Sequence, residues 1–180
     1  MRNIDKFESV IGKVKEMSAH HYDETLPLAD MRFHSLTRML ISGKEVEVLP
    51  SAQRLFANRL RVPHSYLVRC PGDLQAENLN HWLREEREKR ETLFCRFAGS
   101  KLRAVFTDRY CALDHMQILS RMLEYGFNPD VEVHYSLDQE ILVLKVPDFT
   151  RTFAFGQDKI VPGISIANSE VGILAFEITG

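Results

Sequence analysis

Two alternating segments, Leu93–Ala98 and Lys101–Phe106, are separated only by Gly99-Ser100. That spacing leaves the chain little choice but a tight antiparallel hairpin. A two-residue primed turn pairs Ala98 with Lys101, Phe97 with Leu102, Arg96 with Arg103 and Phe94 with Val105. One face then carries Leu93, Cys95, Phe97, Leu102, Ala104 and Phe106, wholly apolar and therefore core. The other gathers Arg96, Lys101 and Arg103 beside Phe94. Like charges directly opposite each other destabilise a sheet, so this register predicts an offsetting group. It is either an anion that the protein binds or an internal partner, with Glu132 and His134 on one face of a later strand as the internal candidates.

Length and charge narrow the setting. A chain of 180 residues suits one domain, 1–180, with a core of its own. Its net charge of −2 is far from that of a domain that coats nucleic acid indiscriminately, yet the charges are unevenly spread. Between Glu47 and Asp73 the only ionised side chains are Arg54, Arg59, Arg61 and Arg69, and between Glu91 and Asp108 they are Arg96, Lys101 and Arg103. Such stretches form a basic patch unless folding brings carboxylates to them. No apolar run approaches the roughly 20 residues of a membrane span. The polar start Met1-Arg2-Asn3-Ile4-Asp5-Lys6 is unlike a secretory leader. Cys70, Cys95 and Cys111 are odd in number and lack a Cys-x-x-Cys pair, as in reduced thiols of a cytoplasm. A cytoplasmic protein away from membranes, with no metal and no cofactor, is the expectation.

Helical spacing of Ile4, Phe7, Val10, Ile11, Val14 and Met17 predicts a first helix. It frays near His20-His21-Tyr22-Asp23 into a connector, so residues 1–24 read as helix and linker. Short strands are expected at Met31–Phe33, Arg38–Ile41 and Val46–Leu49. Pro50-Ser51 opens a second helix to about Leu60, and Pro63 a short third one to about Arg69. Asp73 caps a long fourth helix, whose tail from Arg84 to Arg90 is dense in opposite charges three and four apart, the pattern of a solvated helix end. Asp114 with Gln117 predicts a capping box on a helix stopped by Gly126. Further strands are expected at Val131–Ser136, Ile141–Val146, Ile160–Asn168 and Ile173–Thr179. The last two are joined by a turn over Asn168–Gly172, with Gly172 in an unusual backbone conformation. Helices thus concentrate in the N-terminal half, and the chain reads as α+β, mostly antiparallel sheet with helices packed on one face.

No G-x-G-x-x-G, Walker A or G-x-S-x-G pattern is present, which removes the familiar phosphate-loop and nucleophile-elbow chemistries. His20-His21 with Asp23 and Glu24 offers metal-capable groups, but adjacent loop histidines face one ion less readily than residues four apart on a helix. Cys111 and His115, also four apart, read as structural. Ser51–Arg69 has the outline of a helix-turn-helix with Arg59, Arg61 and Arg69 toward phosphates. Its second helix is short, and His64, Ser65 and Val68 offer little base-reading capacity, so plain helix packing is expected. What remains is the set Arg96, Lys101, Arg103 and Arg109 with Phe94 and Tyr110, cations beside aromatics as single-strand binders use them.

The segment Val161-Pro162-Gly163-Ile164-Ser165-Ile166-Ala167-Asn168-Ser169-Glu170-Val171-Gly172 resembles a family of phage/plasmid-like proteins of unknown function from bacterial mobile elements. Leu60-Arg61-Val62-Pro63-His64-Ser65-Tyr66-Leu67, Glu77-Asn78-Leu79-Asn80-His81-Trp82-Leu83 and Arg103-Ala104-Val105-Phe106-Thr107-Asp108-Arg109-Tyr110 are similar to it too. The likeness runs from about residue 25 to the end. It implies a mobile-element setting and DNA-associated work, and brings no reaction, cofactor or catalytic residue. Members of that family usually continue with another strand and an Arg-x-x-Cys-x-Asn-Gly-like stretch. Against that pattern, a chain that stops at Gly180 reads as a truncated or short member.

Three functions follow as expectations. The first is an accessory protein of a phage or plasmid that binds nucleic acid, with single strands as one form it could take, through Arg96, Lys101, Arg103 and Arg109 with Phe94 and Tyr110 as stacking surfaces. The second is a protein-interaction module whose basic face meets an acidic partner. The third is an enzyme with a polar site near Asp108 and Glu170.

Overall fold

The chain leaves its first helix to build a second unit and then returns. In the computed structural model, which describes residues 3–180, the elements run β1 (Asn3–Lys6), α1 (Phe7–Met17), β2 (His21–Pro27), β3 (Met31–Ser35), β4 (Arg38–Ile41), β5 (Lys44–Val48), α2 (Pro50–Leu60), α3 (His64–Leu67) and α4 (Gly72–Arg87). They continue β6 (Thr92–Ala98), β7 (Lys101–Phe106), α5 (His115–Glu124), β8 (Glu132–Leu137), β9 (Leu142–Pro147), β10 (Phe153–Phe155), β11 (Asp158–Ile160), β12 (Gly163–Asn168) and β13 (Glu177–Thr179). Met1 and Arg2, part of the polar start, lie outside the described residues. The fold is α+β and mostly antiparallel, but helices are spread from Phe7 to Glu124 rather than gathered in the N-terminal half. The chain also divides where one domain was expected. His20–Cys111 form one compact unit, and the segment up to Ala19 together with Ala112–Gly180 forms the other.

In the interrupted unit, α1 and α5 cover one face of a five-stranded antiparallel sheet ordered β1-β8-β9-β12-β13. Phe7, Val10 and Val14, a stripe at helical spacing, meet Ile118, Leu119 and Met122 above Val133, Leu144 and Ile166. Ile4 is not on that stripe. It belongs to β1, opposite His134, and is exposed, so the helix starts three residues later than periodicity alone suggests. Asp5 ties the strand to the helix, accepting from Ser9 Oγ at 2.7 Å and Lys13 Nζ at 2.6 Å. The predicted turn joins paired strands, with Ile166 opposite Ile178. Gly172 has φ of 74°, and Ser169 Oγ accepts the Val171 and Ile173 amides. The second strand begins only at Glu177, later than predicted. Gly163 is required by crowding: a Cβ there presses into the Val146 carbonyl and sits 3.0 Å from Pro147 Cα.

The inserted unit is a six-stranded sheet ordered β2-β6-β7-β5-β4-β3, antiparallel except where β5 meets β7. Phe56, Leu60, Leu79 and Leu83 from α2 and α4 belong to one buried cluster with Phe33, Val48, Leu93 and Leu102 of the strands. Residues His21–Pro27, read from sequence as a fraying connector, are instead the edge strand β2, paired with β6 along its length. Only Leu26 in it is buried, so it carries no apolar alternation to betray it. The opposite edge, β3, is closed by side chains. Asn80 Oδ1 accepts the Phe33 amide and its Nδ2 donates to the Phe33 carbonyl, both at 2.8 Å; Gln75 takes the Leu36 amide, and Arg87 donates to the Met31 and Leu28 carbonyls. The helix thereby satisfies polar groups that a bare edge strand would offer to another chain.

Candidate functional site

The hairpin forms between β6 and β7. Gly99 has φ of 56°, and Ala98 faces Lys101 and Phe97 faces Leu102 as predicted. Beyond that point the register slips: a bulge places Ala104, not Arg103, opposite Arg96, and Phe106, not Val105, opposite Phe94. The bulge removes the head-on opposition of two cations. The bulged Arg103 carbonyl is caught by Ser51 Oγ, at 2.6 Å, from the start of α2.

Both arginines are 2% exposed. Arg96 grips the Asp23 carboxylate with two bonds, Nε to Oδ1 at 2.9 Å and Nη2 to Oδ2 at 3.0 Å. Arg103 Nη1 lies 2.9 Å from His21 Nδ1. Partners for both arginines come from β2, the strand that carries no apolar alternation in the sequence. Lys101 is exposed and 3.4 Å from Glu47. Phe94 and Tyr110 are half-buried, and Tyr110 stacks on Phe106 with centroids 3.7 Å apart. Arg109 alone of the predicted cations stays exposed without an ion pair among the described residues. Both arginines are buried and bonded within the fold.

The polar cluster at Asn168-Ser169-Glu170 is likewise inward. All three are buried. Glu170 Oε1 accepts the amide of His115 at 2.8 Å, and Asn168 Nδ2 donates to the Leu113 carbonyl at 3.0 Å. A carboxylate at the start of α5 meets the positive end of the helix, beside the predicted capping box of Asp114 and Gln117. Asp108 is exposed, in the stretch after β7. Among the described residues no group of three or more His, Cys, Asp or Glu side chains is gathered to hold a metal.

A third cluster was not singled out from sequence. On α4, Trp82 and Glu86 are four residues apart and so share one stripe, which faces the end of α2, and Arg90 follows just beyond the end of the helix. The Glu86 backbone carbonyl accepts the amides of both Lys89 and Arg90, holding them in the turn after the helix. Around the buried Glu86 carboxylate stand Arg90 at 2.6 Å, Arg59 at 3.7 Å and Lys89 at 3.8 Å. Arg61, in a left-handed conformation at the end of α2, lines the same cleft with Glu85 and with Trp82, a residue that is 45% exposed. The cleft has a volume of about 680 Å³. Burial, and next the neighbouring Arg90, pulls the Arg59 guanidinium below its ordinary value. Helix C-termini attract cations, which explains why Arg59, Lys89 and Arg90 gather where two helices end. It does not explain the open space and exposed indole beside them. Sequence did carry the signal, in the acid-free run holding Arg59 and Arg61 and in the i,i+4 spacing of Trp82, Glu86 and Arg90. Within the run Arg84–Arg90 that spacing is masked by the dense opposite charges of a solvated helix end.

No family model, no curated protein and no solved structure matches this chain. No helix among the described residues is long and apolar enough to cross a membrane.

Proposed function

We propose that this protein is a nucleic-acid-binding accessory protein of a phage or plasmid, and that it takes single strands in the cleft between α2 and α4. The observation that carries this reading is an excess of cations over carboxylates in an open cleft beside an exposed indole. Arg59, Arg61, Lys89 and Arg90 face only Glu85 and Glu86 there. Cations that meet phosphates and an aromatic face that stacks a base are the two parts of single-strand recognition. The mobile-element setting comes from the sequence resemblance. Arg96 and Arg103 take the role of structural cations in this reading.

Trp82 is the chain's only tryptophan, so its fluorescence reports on this cleft alone. Titration with oligothymidylate should quench it. The affinity should fall with salt at a log–log slope of about −0.7 per phosphate neutralised. Unchanged fluorescence in excess oligonucleotide at about 50 mM salt, where phosphate contacts are strong, overturns the proposal. An acidic protein partner would use the same cations without stacking. Polyglutamate that binds as tightly as the oligonucleotide would favour that second reading.

A further inference from the structure

The arrangement of the cleft's charges says more than their number. A groove that tracks a strand spaces its cations along the path, because each internal phosphodiester carries a single charge. Here Arg59, Lys89 and Arg90 converge on one point, the Glu86 carboxylate, each within 4 Å of its oxygens. Four cations against Glu85 and Glu86 leave two net positive charges in the cleft. A phosphate monoester carries about −1.5 to −2 charges at neutral pH and three acceptor oxygens, and guanidinium forks suit it in shape as well as charge.

The neighbours of that point are also suited to a chain end. Trp82 lies one helical turn before Glu86 and lines the same cleft half exposed, which sets an aromatic surface beside the cluster. The Glu86 carboxylate holds Arg59 and Arg90 preassembled. Lys89 is mostly exposed, as is Arg61, and both are able to close on an added anion. Arg59 Nε has no hydrogen-bond partner among the described residues, which leaves donor capacity inside the cluster.

We infer that the α2–α4 cleft recognises the terminal phosphate monoester of a nucleic-acid strand, with the terminal base stacked on Trp82. This rests on the single-strand reading above and narrows it from strands to strand ends.

The test uses the full chain and Trp82 fluorescence, with oligothymidylates of one length carrying a 5′-phosphate, a 3′-phosphate or hydroxyls at both ends. One phosphorylated end should bind at least tenfold tighter than the hydroxyl form at pH 7.5. The advantage should shrink at pH 5.5, below the second ionisation of a phosphate monoester near 6. Inorganic phosphate at millimolar concentration should compete. Lys89→Ala and Arg61→Ala, at exposed positions that do not carry the fold, should erase the advantage. Equal affinity for all three oligonucleotides overturns this inference and leaves strand binding standing. Quenching by none of them overturns both.

Discussion

Replacing Arg96 by alanine separates the two ways of reading the hairpin by the sign of the stability change. Arg96 is all but inaccessible and its two bonds to Asp23 are short. Breaking a fully buried ion pair by removing one partner costs about 3–5 kcal/mol. The Asp23 side chain is 29% exposed, so water takes up part of what it loses, and the cost falls toward about 3 kcal/mol. For a chain of this size each kcal/mol moves Tm by about 2–4 °C, so Arg96→Ala should lower the melting temperature by roughly 6–12 °C. Lys101→Ala is the matched control. Its contact with Glu47 is about half exposed on both sides, and such pairs contribute about 0–1 kcal/mol. If Arg96 instead stood against another cation, its removal would relieve repulsion worth a few tenths to about 1 kcal/mol, and the protein would melt at the same or a higher temperature. Differential scanning calorimetry of wild type and both variants reads the difference, and resolves the two units if they melt apart. An Arg96→Ala protein at least as stable as the parent refutes the internal-pairing argument.

Gly163→Ala should destabilise the interrupted unit by about 1–3 kcal/mol, the usual cost of forcing atoms into a packed interior, because the clash is with backbone of β9; urea unfolding checks it, and an unchanged midpoint refutes it. Asp5 is held down to about 2, first by the hydrogen bond from Lys13, then by Ser9 and the Lys6 amide. Its folded-state value lies below the unfolded one near 3.9, so its stabilisation is complete above pH 4 and is lost as pH falls toward 2. Asp5→Asn should therefore narrow the stability gap between pH 5 and pH 2 as measured by urea midpoints, and an unaltered gap refutes the tie. Burial, with Glu24 adding to it, pushes the Cys95 thiol up to about 12. A thiol reagent at pH 8 should label exposed Cys111 quickly and Cys95 only after denaturation, followed by peptide mass mapping.

Much of the fold was legible because its signals are local. Gly99-Ser100 set the hairpin, Asp114 with Gln117 the cap of α5, and apolar periodicity the helices. What was not legible depends on partners distant in sequence. β2 is held by backbone pairing with β6 and buries only Leu26, so no pattern marks it; without it, Arg96 and Arg103 lacked Asp23 and His21. The bulge at Arg103 is invisible to a rule that assumes perfect alternation, and it is stabilised by Ser51 from a separate helix. The insertion of one unit into the other leaves no composition change at Ala19 or Ala112. The cleft is not legible because its charges come from two separate segments: Arg59 and Arg61 alone have the outline of a helix-turn-helix, and Lys89 and Arg90 alone that of a solvated helix end.

On the proposed reading, ligand is taken between α2 and α4 and not on the hairpin. Charge-reversed pairs test it most directly, since all four positions are exposed: Arg61→Glu with Lys89→Glu in the cleft, and Lys101→Glu with Arg109→Glu by the hairpin. Anisotropy of a labelled single-stranded oligonucleotide should show the cleft pair losing affinity at least tenfold, with the hairpin pair staying within about threefold of wild type, as distant charges act only through the screened long-range field. The reverse order, with the hairpin pair losing binding and the cleft pair keeping it, overturns the assignment of ligand to the cleft.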